Sequence, residues 1–217
     1  IAPSLVGSEM CIRDSFAIRA VIFRPRCCIS TRLINQSYVK RALGNNMLHL
    51  AGPKWEPTAG YYDCRYAVLR QPLGFERGAE VLNDDTEAIH AYIEFDQEIV
   101  AVGRSHLIPA SSNGSQSDFP GQSGPKTPPF SALDASNRPA IQIRQMGTLE
   151  AHRRKGLAAV VLEALEKASV QQFEAVCGFL QAREAAIPFY QSQGWEVVDE
   201  PYSIPNVGPH RSMMKRF

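Results

Sequence analysis

Residues 151–168 read AHRRKGLAAVVLEALEKA. Arg153, Arg154 and Lys155 crowd against Gly156, and an apolar pattern of helical period begins at once. Leu157, Val160, Val161, Ala164, Leu165 and Ala168 recur at three- and four-residue steps, which predicts an amphipathic helix over 157–171. The first turn of a helix has N–H groups without intrahelical acceptors and a partial positive charge. Three added cations make sense there if an anion docks. Gly156 lets a backbone approach that anion closely, and Ala158 is nearly as small. By itself the pattern is short, and a solvated basic turn explains it equally well. It is not a Walker loop, since no G-x-x-x-x-G-K-[ST] is present, and no G-x-G-x-x-G follows the strand before it.

The flanks supply the context. Residues 140–146 (AIQIRQM) read as a strand before the basic turn, and 175–180 (AVCGFL) as a buried strand after the helix. A helix between them implies that the two run parallel. Residues 184–193 read as a second helix stopped at Gly194, and 195–199 and 212–217 as closing strands. Upstream, 61–69 can form a short helix ended by Pro72 and Gly74. Residues 89–95 alternate, with Ile89, Ala91, Ile93 and Phe95 on one face and His90, Tyr92 and Glu94 on the other. A second strand over 99–108 follows after only Asp96 and Gln97, which predicts an antiparallel hairpin. The order is an antiparallel meander followed by β-α-β-α-β. The class is α/β (α+β), a mixed sheet flanked by helices.

Residues 111–129 are rich in Ser, Gly and Pro and offer little to bury, so the 111–138 region is expected to be a flexible loop. Loops of this length inside a domain are functional or disordered. Of the two, disorder is the expectation, with coverage of a substrate cleft as the alternative.

The 217-residue chain suits one domain. Its 23 Lys and Arg against 22 Asp and Glu leave a net charge of +1, which gives no electrostatic footprint for nucleic acid. No apolar run reaches the length of a bilayer span, so no membrane partner is expected. Cys11, Cys27, Cys28, Cys64 and Cys177 show neither metal-ligand spacing nor a disulfide framework, which points to a reducing, cytoplasmic location and no metal. The chain begins at Ile1, and residues 5–14 (LVGSEMCIRD) read as the translation of a transposase sequencing adapter. Residues 1–46 are therefore set aside as an N-terminal extension, in part adapter-derived, against the alternative of a genuine extension. The domain is expected over 47–217, with Met47 as its start.

MGTLEAHRRKGLAAVVLEALEKA resembles motif A of the GNAT superfamily of acyl-CoA-dependent N-acyltransferases. LQAREAAIPFYQSQGWEVV is similar to that superfamily's second signature, a strand and a helix ending in Phe-Tyr before a Gly-aromatic turn. YAVLRQPLGFERG, VAVGRSHL and VGPHRSMMK resemble a subgroup with Leu-Arg-x-Pro-Leu-Gly, Gly-x-Gly-Arg-x-His and Gly-Ile-Pro-His-x-x-Met patterns; here no Ile stands between Gly208 and Pro209. The resemblance covers about residues 61–217. It implies a central sheet splayed in a V, with acyl-CoA in the cleft.

On that resemblance, Arg153, Arg154, Lys155, Gly156, Leu157 and Ala158 form the pyrophosphate cradle, contacts running through backbone N–H groups of 154–158. Met146, Gly147 and Thr148 take the pantetheine like an added strand, and an N–H near Thr148 polarises the thioester carbonyl. Arg183 lies near the adenosine end or the start of the second helix. Tyr190 matches the family's usual acid and also touches the cofactor. Glu94, His106 and His210 are the candidate bases, directly or through water, and Arg104 and Arg144 could clamp a substrate carboxylate, with pairing to Glu94 or Glu150 as the alternative. The expected activity is direct transfer of an acetyl (acyl) group from acetyl-CoA to a primary amine of a small molecule or peptide in a ternary complex. The alternative is a non-catalytic acyl-CoA-binding sensor module. A homodimer by strand or helix exchange is compatible with this class.

Overall fold

The computed structural model describes residues 39–43, 45–122 and 124–217. The adapter-like stretch and the rest of 1–38 lie outside the described residues. In chain order the elements are β1 (Val39–Leu43), β2 (Asn46–Ala51), α1 (Ala59–Leu69), β3 (Ile89–Phe95), β4 (Glu98–Leu107), β5 (Ala140–Thr148), α2 (Leu157–Phe173), β6 (Cys177–Arg183), α3 (Ile187–Ser192), β7 (Glu196–Val197), β8 (Tyr202–Ile204) and β9 (Gly208–Arg216). Among the described residues the strands make one mixed sheet, ordered β1-β2-β3-β4-β5-β6-β9-β7, with β8 added to β9.

The hairpin between β3 and β4 turns on Asp96 and Gln97, at φ 48° and 68°. Two consecutive left-handed residues are what a two-residue turn between twisted strands needs. β5 and β6 pair in parallel, as a helical crossover requires, and every other pairing is antiparallel.

α2 buries Leu157, Val161, Leu162, Leu165, Ala168 and Ser169 against one face of the sheet, where they meet Ile89, Ala91, Ile93, Ile141, Ile143 and Leu180. α3 packs on the same side through Tyr190, and the Trp195 indole beyond it donates to Glu166 of α2 at 2.8 Å. α1 covers the opposite face. It is capped by Thr58, whose hydroxyl accepts from the Tyr61 N–H at 3.4 Å, and it buries Tyr61 and Cys64 against Tyr92 and Val102.

Three expectations change. Alternation implied one covered face for β3, yet Ile89, His90, Ala91, Tyr92 and Ile93 are all buried, because α1 covers the second face with polar and aromatic groups. Strand pairing also extends N-terminal of Met47. Asn46 opens β2, and β1 pairs along it through backbone groups, which leave no hydropathy signature. The last strand starts at Gly208, not Ser212, and β8 lies in a stretch with no alternation to mark it.

Candidate active site

β5 and β6 pair from Ala140–Cys177 to Ile143–Leu180 and then part. The parting coincides with an irregularity in β5. The β4–β5 register jumps between Val102↔Gly147 and Arg104↔Arg144, and Gln145 takes up the extra residue at φ 53°. A bulge bends the strand that carries it. The result is a cleft of ≈ 320 Å³ between the two strands. Its walls are Arg144 to Thr148 of β5 and Leu180 to Arg183 of β6, and Arg153, Tyr190 and His210 complete the lining. Beyond Ile143, the edge of β5 facing β6 has no strand partner among the described residues.

The basic turn opens at one end of this cleft. Among the described residues, no protein group accepts the N–H groups of 154–158; the first such bonds are from Ala159 and Val160 to the Gly156 carbonyl, at 3.1 and 3.2 Å. Gly156 caps α2 at φ 77°, a conformation that side chains disfavour, and the space where a Cβ would project is open. Arg154 is also left-handed at φ 62°, and its side chain is exposed. Arg153 reaches back, its Nε donating to the Thr148 carbonyl at 3.3 Å. Five successive free donors at a helix N-terminus form a receptor for a phosphate-type anion.

Tyr190 of α3 and His210 of β9 line the cleft as well. The Tyr190 hydroxyl has no hydrogen-bond partner among the described residues, and burial pushes its pKa up, which keeps the phenol protonated. His210 is buried, and its Nδ1 lies 2.8 Å from the Gly208 carbonyl. A carbonyl only accepts, so Nδ1 carries the proton and Nε2 keeps its lone pair. Burial first, and Arg183 after it, lower the His210 pKa, so the ring is neutral.

The acetyltransferase (GNAT) family model matches residues 47–195. This chain belongs to the GNAT acetyltransferase family. It is 33% identical over 75 residues to the uncharacterized N-acetyltransferase YjcF of Bacillus subtilis (strain 168); the match covers 34% of this chain and about half, 52%, of that protein's length. The fold is similar to that of an acyl-CoA N-acyltransferase from Pseudomonas aeruginosa, with TM-score 0.52 and 16% identity over 77% of this chain and 97% of that one. It is also similar to Escherichia coli ElaA, with TM-score 0.50 and 18% identity over 74% and 93%.

Within this GNAT domain the structure groups the expected residues unevenly. Met146, Gly147, Thr148, Arg153, Arg144, Arg183, Tyr190 and His210 all line the cleft. Lys155, Leu157 and Ala158 belong to the turn and first helical residues beside it. Arg104, expected to hold substrate, does not reach the cleft. It is fully buried under α1, where Nη1 and Nη2 bind Asp84 at 2.9 and 2.8 Å and Nη1 also binds Asp85 at 2.9 Å. Two carboxylates occupy its Nη donors, and its partners are not Glu94 or Glu150. Glu94 lies in a separate pocket with Asp63 and Glu98, 3.1 Å from His49 Nε2. His106 is walled off as well. Its Nε2 faces the Gln116 amide at 3.0 Å, and burial, then Arg104 and Arg144, hold its pKa well below the ordinary imidazole value.

Sequence reasoning missed Arg70, Asp118 and Gln145, which line the cleft together. Arg70 is the arginine of Leu-Arg-x-Pro-Leu-Gly, and Asp118 is the one acid within 111–129, so each had a signal. Gln145 had none, since its role follows from a backbone bulge. The 111–138 segment, expected to be flexible, is bonded to the sheet at several points. Arg144 Nη2 donates to the Ser117 carbonyl at 2.9 Å and to Asp118 at 2.5 Å, and the Gln116 amide donates to Gln142. No group of His, Cys, Asp and Glu able to hold a metal occurs among the described residues, and none of their helices is long and apolar enough to cross a membrane.

Proposed function

We propose that this chain transfers an acetyl group from acetyl-CoA to a primary amine of a small molecule or peptide, both bound at once. The observation that carries this reading is the junction of a strand-flanked cleft with five unclaimed N–H groups, because that pair suits a long ligand with a pyrophosphate at one end. The N–H groups of 154–158 hold the phosphates, and the open edge of Met146 to Thr148 holds the amide-bearing arm. Acetyl-CoA supplies the thioester carbonyl and a thiol leaving group.

The chain's own residues hold and move the protons. His210 Nε2 accepts the proton that the amine loses as its nitrogen bonds to the acetyl carbon. Tyr190 donates its hydroxyl proton to the departing sulfur. A thiolate whose conjugate thiol has a pKa of about 8.5, by analogy with cysteine, is a good leaving group, so the acid that assists it need not be strong. Holding amine and thioester side by side in the cleft supplies much of the rate.

Thermal unfolding of the full chain with and without acetyl-CoA tests the reading, followed by thiol release with a panel of amines. Stabilisation of about 2.7 kcal/mol at 100 times the dissociation constant is expected, with thiol release that depends on the amine. Absence of any shift in a folded sample overturns the proposal. Binding without turnover on any amine favours the sensor module.

A further inference from the structure

Three guanidinium groups converge on the α1 side of the cleft. Arg70 comes from the C-terminal cap of α1, Arg144 from β5 and Arg183 from β6. One carboxylate meets them. Asp118 Oδ1 accepts from Arg144 Nη2 at 2.5 Å, and Oδ2 accepts from Arg70 Nη2 at 3.1 Å and from the Gln145 amide at 2.6 Å. Arg183 lies within the influence of Arg70 and Asp118 but has no hydrogen-bond or ion-pair partner among the described residues. The charge is three cations against one anion.

The donors and the acid differ in how they are held. Arg70 and Arg144 are 3% and 7% exposed and sit on regular elements; Arg70 Nε is fixed on the Ala79 carbonyl at 2.9 Å. Gln145 is fixed by the Arg65 Nε, which donates to its Oε1 at 3.2 Å. Asp118 stands in the Ser-, Gly- and Pro-rich segment, is 36% exposed, and is the one carboxylate of residues 111–129. A rigid set of donors matched to both oxygens of a carboxylate is thus filled by the chain's own carboxylate on a segment with little core of its own.

We propose that the acceptor amine carries a carboxylate, as a small amino acid does, and that this group takes the place of Asp118 between Arg70, Arg144 and Gln145 while Arg183 supplies a further cation. The proposal rests on the acetyl-transfer reading of the same cleft. One carboxylate replaces the Asp118 side chain while Arg70 and Arg144 keep the main-chain carbonyls of Asp118 and Ser117, so no guanidinium is left buried and unpaired during the exchange. A neutral analogue gains nothing from the site and leaves Asp118 in possession.

The test compares amino acids with their C-terminal amides as acceptors in thiol release at saturating acetyl-CoA. The acids are expected to exceed the amides in kcat/KM by about tenfold or more, the worth of a charge-assisted hydrogen bond. This holds even though an amide's amine is the less basic of the two. Asp118→Asn should lower KM for the acids and leave the amides unchanged. Arg183→Gln should raise KM for the acids and leave KM for the amides unchanged, whatever it does to acetyl-CoA binding. Calorimetric titration of N-acetylated amino acids and their amides into the full chain needs no turnover, and the acids should bind more tightly, most of all to Asp118→Asn. Equal turnover or binding of acids and amides overturns the carboxylate pocket while acetyl transfer stands. Loss of the acetyl-CoA thermal shift strikes the underlying reading instead, and the calorimetric preference still decides the pocket.

Discussion

Gly156 and Tyr190 show how different the burdens on single residues are. At φ 77° a side chain is strained, and any Cβ at Gly156 would project into the open space beside the free N–H groups. Gly156→Val should cost about 1–2 kcal/mol in the unliganded protein, the penalty of a left-handed L-residue. The same variant should abolish the stabilisation by acetyl-CoA, read from paired melting curves. Tyr190→Phe should behave in the opposite way. The hydroxyl has no protein partner to lose, so stability and the acetyl-CoA shift should stay near wild type. Thiol release should fall about 100-fold if the phenol is the general acid. An unchanged rate would remove Tyr190 from the mechanism.

β3 and β5 each carry a device that hydropathy does not reveal. On β3, the His90 Nε2 must donate to the Asp85 carbonyl 2.7 Å away, and Nδ1 faces the Tyr61 hydroxyl at 3.0 Å. Burial, reinforced by Arg104 and Arg65, lowers the His90 pKa to about 3. In the unfolded chain the imidazole titrates near its ordinary value of about 6.5. Between these values the unfolded state binds the additional proton. Stability therefore declines as pH falls from about 6.5 toward 3, and rises with pH across the same window. His90→Gln should flatten the acid limb of the stability profile, measured by urea unfolding at stepped pH. On β5, the extra residue at Gln145 bends the strand at the point where β6 departs. The bulge both opens the cleft and aims the Gln145 amide at Asp118.

Across the molecule, buried charge is arranged as a layer between α1 and the sheet. Arg65 and Arg104 meet Asp84 and Asp85 there, and the set is close to neutral. Asp84 has a carboxyl held well below the usual range by Arg104, against the upward push of burial. Arg104→Met should lower stability by about 3 kcal/mol or more, because two carboxylates would lose a buried partner. Its effect on KM for either substrate should be small, since Arg104 lies outside the cleft. A large, selective rise in KM with unchanged stability would return Arg104 to the substrate site.

The local elements were legible because each rests on a short-range rule. The 89–95 alternation, the two-residue link at Asp96–Gln97, the apolar stripe from Leu157 and the basic turn at Gly156 depend on neighbours within a few residues, and all appear where the pattern put them. The parallel pairing of β5 and β6 also follows from chain order, since a helix links them. Which charges meet was not legible. Arg104 and Arg144 are cross-strand partners on β4 and β5, yet one is sealed under α1 by Asp84 and Asp85 while the other faces the cleft and Asp118. That division depends on residues 20 and 26 positions away in the chain. The sequence by itself determined the β3–β4 hairpin, the β5-α2-β6 crossover and the basic turn that opens its helix, because backbone geometry and hydropathy act locally. Only the tertiary structure decided which residues own the cleft, because a charge buried in a fold takes its role from partners that the chain brings together at long range.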